Sequence, residues 1–238
     1  LVGDLSCGTG AFIKQLHSSI NNFGFNTKIN GFDTDPGAIL FAKKYFSQSK
    51  LIKNLEVKDT LSTTSSLDTK EKELYDIIVG NPPYVNHQVL NSDYKKSLCE
   101  NYYSTGSGVF DLSVVFLEET LNSLKPRGVA SIILSNKFMT SKYGKFICEL
   151  LASECNVIKV EDFNDLQLFK GLTTYTCILT FIKTKSGKRH TLSKALYEDR
   201  RSFDSMPKMV DETIGHEQLL KHPWNFHTRE ESSILKKL

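Results

Sequence analysis

The sequence lacks any paired cysteine motif. Its five cysteines are scattered and odd in number, and no two of them have the C-x-x-C spacing of a zinc or redox site. This pattern argues against a zinc site and against a disulfide framework, and it favours a reducing cytoplasm as the location. We therefore predict no metal ligands. The five residues are Cys7, Cys99, Cys148, Cys155 and Cys177.

Further absences restrict the classes of protein to which this chain can belong. No apolar run reaches the length of about 20 residues that a membrane-spanning helix needs, and no signal peptide opens the chain. The net charge of +3 is too small to identify a nucleic-acid-binding protein by itself, although it is compatible with a polyanionic partner. The chain has no initiating methionine and begins within a strand pattern. We therefore expect it to be a piece of a longer polypeptide.

The remaining composition is typical of a globular α/β domain. Of the 238 residues, 39% are hydrophobic and 24% are charged, which is enough for one sizeable core. Apolar runs of strand length alternate with helical periodicity, and this alternation predicts a parallel sheet with right-handed crossovers. Strands are predicted at 1–5, 28–33, 51–57, 76–79, 129–134, 157–163 and 175–182, and helices at 11–20, 36–46, 111–124 and 141–152. A loop is predicted at 60–72, a loop with a short helix at 85–108, and a basic turn at 185–190.

A rigid corner, Asn81-Pro82-Pro83-Tyr84, follows the fourth predicted strand. The two prolines fix φ and remove two backbone donors, so the corner is stiff and its carbonyl groups face outward. An amide and a phenol ring stand at its two ends. Such a corner can hold a flat ring with a polar edge, with the Asn81 amide and the Pro82 carbonyl at the edge and Tyr84 on the face. The alternative is an ordinary turn, since Asn and Pro favour turns.

Four features follow the ends of the first four predicted strands: the Gly8-Thr9-Gly10 turn, Asp33, Asp59 and Asn81. Because ligands bind beyond the carboxyl ends of parallel strands, we expect these residues along one rim. The turn lacks the third glycine of G-x-G-x-x-G, which disfavours a pyrophosphate cofactor. Asp33 can accept hydrogen bonds from ribose hydroxyls, and Asp59 from an adenine amino group. Each aspartate alone could instead be a helix cap or turn former.

These segments resemble a known family. The sequences DLSCGTGAF at 4–12, GFDTDP at 31–36 and NPPY at 81–84, in this order, resemble the gamma class of S-adenosylmethionine-dependent N6-adenine DNA methyltransferases. The segments FDL at 110–112, SNKF at 135–138, YG at 143–144, LF at 168–169 and TYT at 174–176 are similar to those of bifunctional type IIG restriction–modification enzymes. The resemblance covers about residues 1–182. It implies a Rossmann-like methyltransferase fold, with a seven-stranded, mostly parallel sheet, an antiparallel last strand and helices on both faces.

The resemblance also implies roles by position. The segment from Asp4 to Gly10 would hold the methionine end of the cofactor, Asp33 its ribose and Asp59 its adenine. Asn81 and the Pro82 carbonyl would accept hydrogen bonds from the amino group of an adenine flipped out of double-stranded DNA, and Tyr84 would stack on that base. Phe169 would close the other face or edge of the base, unless it is a core residue. The implied cofactor-binding residues are Asp4, Ser6, Cys7, Gly8, Gly10, Phe12, Asp33 and Asp59.

The expected organisation is a catalytic core at 1–185 and an extension at 186–238 that leads toward an absent DNA-recognition domain. The full-length protein is also expected to carry that domain and, if it is type IIG, a nuclease domain. On these grounds we expect the 238-residue chain to bind cofactor weakly on its own. Two alternatives remain open: a protein-glutamine or ribosomal-RNA methyltransferase, which can share the NPPY corner, and a non-catalytic DNA-binding scaffold.

Overall fold

The computed structural model describes residues 1–62, 74–163, 175–184, 189–196 and 208–224, and the fold is given for these. Nine strands form one sheet in the order β3-β2-β1-β4-β5-β7-β6-β8-β9. The strands are β1 (Val2–Asp4), β2 (Ile29–Asp33), β3 (Ile52–Val57), β4 (Tyr75–Gly80), β5 (Leu124–Ser135), β6 (Cys155–Asp162), β7 (Thr176–Lys183), β8 (Arg189–Leu196) and β9 (Lys208–Gly215). The helices are α1 (Ala11–Phe23), α2 (Pro36–Tyr45), α3 (Ser92–Asn101), α4 (Leu112–Ser123), α5 (Lys145–Glu154) and α6 (His216–Leu219).

The first seven strands confirm the predicted fold. Strand β1 pairs in parallel with β2 and with β4. The pairs β2–β3 and β4–β5 are parallel as well. Strand β7 lies between β5 and β6 and is antiparallel to both. The carboxyl ends of β1 to β4 therefore meet at one edge of the sheet, as the sequence predicted.

Two strands beyond residue 185 were not predicted. Strand β8 pairs in parallel with β6, and β9 pairs antiparallel to β8. The prediction of a basic turn at 185–190 is therefore wrong for its last two residues, because β8 begins at Arg189. Both strands are rich in charged and polar residues, and a strand near the edge of a sheet can be formed by backbone pairing without an apolar run. The boundary at residue 185 stays a prediction, although the sheet continues past it.

Local sequence signals account for the helix starts that surround the site. Helix α1 begins after Gly10, which has φ 91, and ends at Gly24, which has φ 67. Helix α2 begins with Pro36, and the Asp35 side chain accepts hydrogen bonds from the backbone N–H groups of the next turn, 2.7 Å from Gly37. Asp111 caps α4 in the same way. These caps set where each helix leaves the rim of the sheet.

Strand β5 begins earlier than predicted. It starts at Leu124, directly after α4, whereas the sequence indicated a strand only from residue 129. Its first half is irregular, with a register shift against β4 and with Arg127 at φ 66. Pro126 and Gly128 therefore mark an irregular stretch of strand rather than a loop.

Apolar side chains form two buried clusters on opposite faces of the sheet. The smaller cluster contains Ile13 of α1, Ile39 of α2 and Ile29 of β2. The larger contains Phe32 of β2 together with α4, α5 and the strands from β4 to β7. Residues 29 and 32 of one strand point to opposite faces, so helices cover both sides of the sheet. Within the described residues, no helix is both long and apolar enough to cross a membrane.

Candidate active site

A cavity of about 200 Å³ opens at the rim where the first four strands end. Its lining includes Ser6 beyond β1, Asp33 at the end of β2 and Asn81 beyond β4. Three residues predicted to act together, from separate parts of the sequence, therefore share one cavity. Asp59, Gly8, Phe12 and Tyr84 do not line this cavity. Lys58 and Thr60, which were not predicted, do line it on both sides of Asp59.

The glycine turn is held by backbone hydrogen bonds. The Gly8 N–H donates to Asp33 Oδ2 at 2.7 Å, and the Gly10 N–H donates to the Cys7 carbonyl at 2.9 Å. Gly8 has φ 52 and Gly10 has φ 91, which is the left-handed region that glycine adopts without strain. Apart from the residues on either side of Gly8, no atom of the described residues lies within 4 Å of the point where a Cβ of Gly8 would stand. Hydrogen bonds thus hold the turn in one conformation, and its outer side, beside the N-terminus of α1, has room for a ligand.

Asp4 is fully buried at the end of β1. Its Oδ1 accepts a hydrogen bond from the Ser6 N–H at 3.2 Å, while its Oδ2 has no partner among the described residues. Burial raises the pKa of this carboxyl from its ordinary 3.8 to about 7, the Ser6 hydrogen bond lowers it, and the Asp33 charge raises it further. An unpartnered buried carboxylate oxygen is costly, and a cationic ligand group would satisfy it.

Cys7 contributes its backbone to the turn rather than a reactive sulfur. Its side chain packs in the smaller core cluster. Burial, and then the charges of Asp4 and Asp33, raise the pKa of the Cys7 thiol to about 12, so the thiol is neutral at physiological pH. Phe12 is half-buried on the first turn of α1.

Each oxygen of Asp33 already accepts one backbone hydrogen bond. Oδ2 accepts from Gly8 at 2.7 Å and Oδ1 from Asp35 at 3.0 Å. Asp33 therefore does act as a turn former, which was the alternative to a binding role. A carboxylate offers about four acceptor positions, so two remain for a ligand. The two roles are compatible, because the backbone bonds orient the carboxylate at the cavity.

Asp59 follows β3 and is held in the same manner. Its Oδ1 accepts a hydrogen bond from the Leu61 N–H at 3.0 Å. The next residue, Thr60, donates its hydroxyl to the Leu5 carbonyl at 3.1 Å.

The Asn81-Pro82-Pro83-Tyr84 corner begins where β4 ends at Gly80. The Tyr84 hydroxyl donates to Asn81 Oδ1 at 2.7 Å, so the two ends of the corner contact each other. No described donor bonds to the Pro82 carbonyl oxygen. Burial raises the pKa of the half-buried Tyr84 above its ordinary value, and the nearby Cys177 and Asp111 raise it further, so the hydroxyl stays protonated.

The chain behind this corner is pinned to the start of α4. Asn86 forms an isolated antiparallel bridge with Asp111, and the Leu112 N–H donates to the Val85 carbonyl at 2.8 Å. Phe169 falls in the range 164–174, outside the described residues, and its predicted role stays a prediction. Where the chain is described, no group of three or more His, Cys, Asp or Glu side chains could hold a metal ion.

Comparison with known proteins gives a consistent family. The family model of the Eco57I restriction-modification methylases matches residues 9–169. Type II methyltransferase M.BanIII of Aneurinibacillus aneurinilyticus is 29% identical over 228 residues, covering 91% of this chain and 38% of that protein. Type II restriction enzyme and methyltransferase RM.Eco57I of Escherichia coli is 29% identical over 177 residues, covering 73% of this chain and 17% of that protein. The chain thus spans well under half the length of both relatives.

A solved structure supports the fold independently. A Listeria monocytogenes protein assigned to the class I S-adenosylmethionine-dependent methyltransferases aligns with a TM-score of 0.65 at 15% identity. The alignment covers 81% of this chain and 57% of that chain. The likeness confirms the predicted Rossmann-like methyltransferase fold and, at this identity, carries no further conclusion.

Proposed function

We propose, from the premise that the chain belongs to the Eco57I restriction-modification methylase family, that it is the catalytic core of a DNA methyltransferase. The reaction would transfer a methyl group from S-adenosylmethionine to the N6 amino group of an adenine flipped out of the duplex. The observation that carries the proposal is the single cavity shared by Ser6, Asp33 and Asn81. A methyl donor beside a hydrogen-bond acceptor for an amine is the arrangement that this reaction needs.

The residues of the rim fit the proposed cofactor. The unpartnered Oδ2 of Asp4 is an acceptor suited to an ammonium group, and the cofactor carries one on its methionine end. The open side of the Gly8 turn admits a ligand close to the backbone. The remaining acceptor positions of Asp33 suit a pair of ribose hydroxyls. The bound cofactor would supply a methyl group that is already activated by a positive sulfur.

The chain's own contribution is to position and activate the target amine. The nitrogen of an adenine amino group is a poor nucleophile, because its lone pair is delocalised into the ring. Two acceptors on its hydrogens, Asn81 Oδ1 and the Pro82 carbonyl, would draw it toward tetrahedral geometry and localise that pair. Tyr84 would hold the ring by stacking. Positioning and electrostatics then provide the rate, and we assign no general base.

The partners of the full-length protein are part of the same proposal. Double-stranded DNA would be the substrate, and target recognition would be supplied by a separate domain, since contacts to base edges in the grooves are what specify a DNA sequence. RM.Eco57I is a restriction enzyme and methyltransferase, so a nuclease domain is proposed for the full-length protein as well. The family match favours this proposal over a protein-glutamine or ribosomal-RNA methyltransferase.

The test is the substitution Asn81→Ala, assayed by transfer of tritiated methyl from S-adenosylmethionine to duplex DNA with the full-length protein. We expect transfer to fall at least about a hundredfold, because one of the two acceptors in the transition state is lost. Cofactor binding, measured by calorimetric titration, should change little. The matched control is Asn101→Ala, since Asn101 is an exposed residue of α3 away from the cavity.

Three outcomes would contradict the proposal. Unchanged transfer by the Asn81→Ala variant would exclude the assigned mechanism. A digested product that contains methylated cytosine rather than N6-methyladenine would exclude the proposed target base. Absence of any transfer by the unmodified full-length protein, with cofactor and DNA both bound, would instead support the non-catalytic scaffold.

A further inference from the structure

The Asn81-Pro82-Pro83-Tyr84 corner is attached to the domain through the three residues that follow it. Residues 85–87 pair with residues 110–112, which lead into α4. The two segments share an isolated antiparallel bridge and two backbone hydrogen bonds, one of 2.8 Å and one of 3.0 Å. The longer of these bonds runs from the His87 N–H to the Phe110 carbonyl. The corner is therefore held from behind by a very short antiparallel pairing.

The side chain of His87 adds a further bond to this pairing. Its ring nitrogen Nδ1 lies 3.0 Å from the Phe110 carbonyl oxygen, the same oxygen that accepts the His87 N–H. Because a carbonyl oxygen can only accept, Nδ1 carries the proton of this bond. The Phe110 N–H lies at the longer distance of 3.4 Å from the same nitrogen, so the carbonyl is the better partner. One oxygen thus accepts two hydrogen bonds from a single residue.

Both partners of this bond are buried. His87 is 5% exposed and Phe110 is 1% exposed, and their ring centroids lie 5.5 Å apart. Phe110 belongs to the larger core cluster, and the next residue, Asp111, caps α4. The Phe110 carbonyl is therefore the fixed side of the bond, and the chain behind the corner is the side that is held. Water has little access to replace a donor that is lost here.

We infer that His87 is a positioning residue for methyl transfer, acting through the corner. This role rests on the proposed function, in which Asn81 Oδ1 and the Pro82 carbonyl accept the two hydrogens of the target amine. The backbone bond of His87 fixes one point of the chain behind these acceptors. The imidazole bond fixes a second point, so the chain cannot tilt about the first bond without stretching the other. His87 touches neither the cofactor nor the target base in this assignment.

The N–H donor of His87 can be separated from its ring by substitution. Asparagine places an N–H at the position of Nδ1, because both nitrogens are bonded to Cγ, but it has no ring. Phenylalanine keeps a ring of similar shape against Phe110 and has no N–H. Glutamine places its amide nitrogen one bond further from the backbone, at the position of Nε2. If His87 acts through its donor, asparagine alone replaces it; if it acts by packing, phenylalanine does.

The experiment measures single-turnover transfer of tritiated methyl from S-adenosylmethionine, with the full-length protein in excess over unmethylated plasmid DNA. Calorimetric titration with S-adenosylhomocysteine counts the binding-competent sites of each preparation, so that partial unfolding is not read as a slower reaction. A misplacement of about 1 Å costs on the order of a hundredfold in rate, and a shift of roughly a few tenths of an ångström should cost about threefold to tenfold.

We expect this loss of rate per binding site in His87→Phe and in His87→Gln. His87→Asn should stay within about twofold of the unmodified protein, because it retains the donor. The affinity for S-adenosylhomocysteine should change by less than about twofold in all three variants. The matched control is His17→Phe, which makes the same substitution on α1, where the His17 ring nitrogen contacts the Asn21 amide at 3.2 Å within the helix. It should change neither the rate nor the affinity.

A normal rate per site in His87→Phe would overturn the inference. A rate in His87→Asn as low as that in His87→Phe would overturn it as well, because the corner would then need the ring rather than the donor. Loss of S-adenosylhomocysteine affinity in parallel with the rate would assign His87 a general structural role instead. Absence of transfer by the unmodified protein, with cofactor and DNA both bound, would refute the proposed function and the inference with it, a result distinct from any loss confined to the variants.

Discussion

Replacing Asp4 by asparagine is expected to stabilise the fold at alkaline pH while it weakens cofactor binding. The Asp4 carboxyl is fully buried, and one of its oxygens has no partner among the described residues. Asparagine has the same shape, keeps the oxygen that accepts the Ser6 N–H, and cannot ionise. The substitution therefore removes the buried negative charge, and it places an amide NH2 where the unpartnered oxygen stood, at a cost that does not depend on pH.

The direction of the effect is set by the pKa, which burial raises from 3.8 to about 7. Below about pH 4 the carboxyl is protonated in both the folded and the unfolded chain. As the pH rises from about 4 to about 7, the unfolded chain loses the proton and the folded chain retains it. The free energy of unfolding therefore falls with rising pH across this window, and the loss is complete above about pH 7.

The magnitude is set by the same two values. The difference between 3.8 and about 7 corresponds to about 4 kcal/mol, at about 1.4 kcal/mol for each pKa unit. The asparagine variant cannot ionise and so does not lose this stability. Its free energy of unfolding at pH 8 should exceed that of the unmodified chain by up to about 4 kcal/mol. For a chain of this size the gain is on the order of 10 °C in melting temperature.

The assay is thermal and urea unfolding of the two chains at five pH values from 4 to 8. The free energy of unfolding of the variant, relative to that of the unmodified chain, should rise progressively from pH 4 to pH 7 and then level off. Calorimetric titration should show weaker S-adenosylmethionine binding by the variant at pH 8, because the partner of the ammonium group is gone. Asp93→Asn, which neutralises an exposed carboxyl on α3, should reproduce neither effect. Curves that stay parallel over the whole range would refute the reasoning.

Two further substitutions test the corner and the glycine turn. Tyr84→Phe keeps the stacking ring and removes the hydroxyl that donates to Asn81 Oδ1 at 2.7 Å. Methyl transfer by this variant should therefore stay within a few-fold of the unmodified value. Tyr84→Ala also removes the ring and should lower methyl transfer at least about tenfold. A Tyr84→Phe variant as impaired as Tyr84→Ala would show that the hydroxyl is required. Gly10→Ala should lower the free energy of unfolding by more than about 1–2 kcal/mol, because its φ is 91 and its new Cβ would lie 3.0 Å from the Phe46 ring. Gly24→Ala is the control for the backbone cost alone, because Gly24 has φ 67 and, apart from its chain neighbours, no atom of the described residues lies within 4 Å of the new Cβ. An equal loss in urea unfolding of both variants would contradict the packing argument.

The first seven strands and the rim could be predicted because their signals are local. Short apolar runs identify the strands, and a polar residue directly after a run, such as Asp33 or Asn81, identifies a strand end. Parallel pairing then brings those ends together without any further information from the sequence.

Other features could not be predicted because they depend on tertiary contacts. Strands β8 and β9 lack apolar runs and are formed by pairing at one side of the sheet. The hydrogen bond from the Thr60 hydroxyl to the Leu5 carbonyl joins the segments that follow two different strands, and neither residue type indicates the other. Asp4 could be placed at a strand end from the sequence, but its complete burial with one unpartnered oxygen is a property of the packed structure.

The position of β1 in the middle of the sheet has a consequence for how the chain acquires its pocket. Val2 and Gly3 pair with Ile29 and Asn30 on one side and with Ile77 and Ile78 on the other. The rim is therefore incomplete until β4, emerging last of the four strands during synthesis, has joined β1 across a long separation in sequence. Closing so long a stretch of chain is slow, and its contacts form late. Cofactor binding should consequently begin only when β4 pairs with β1. A folding intermediate that lacks this pairing should not retain the ligand.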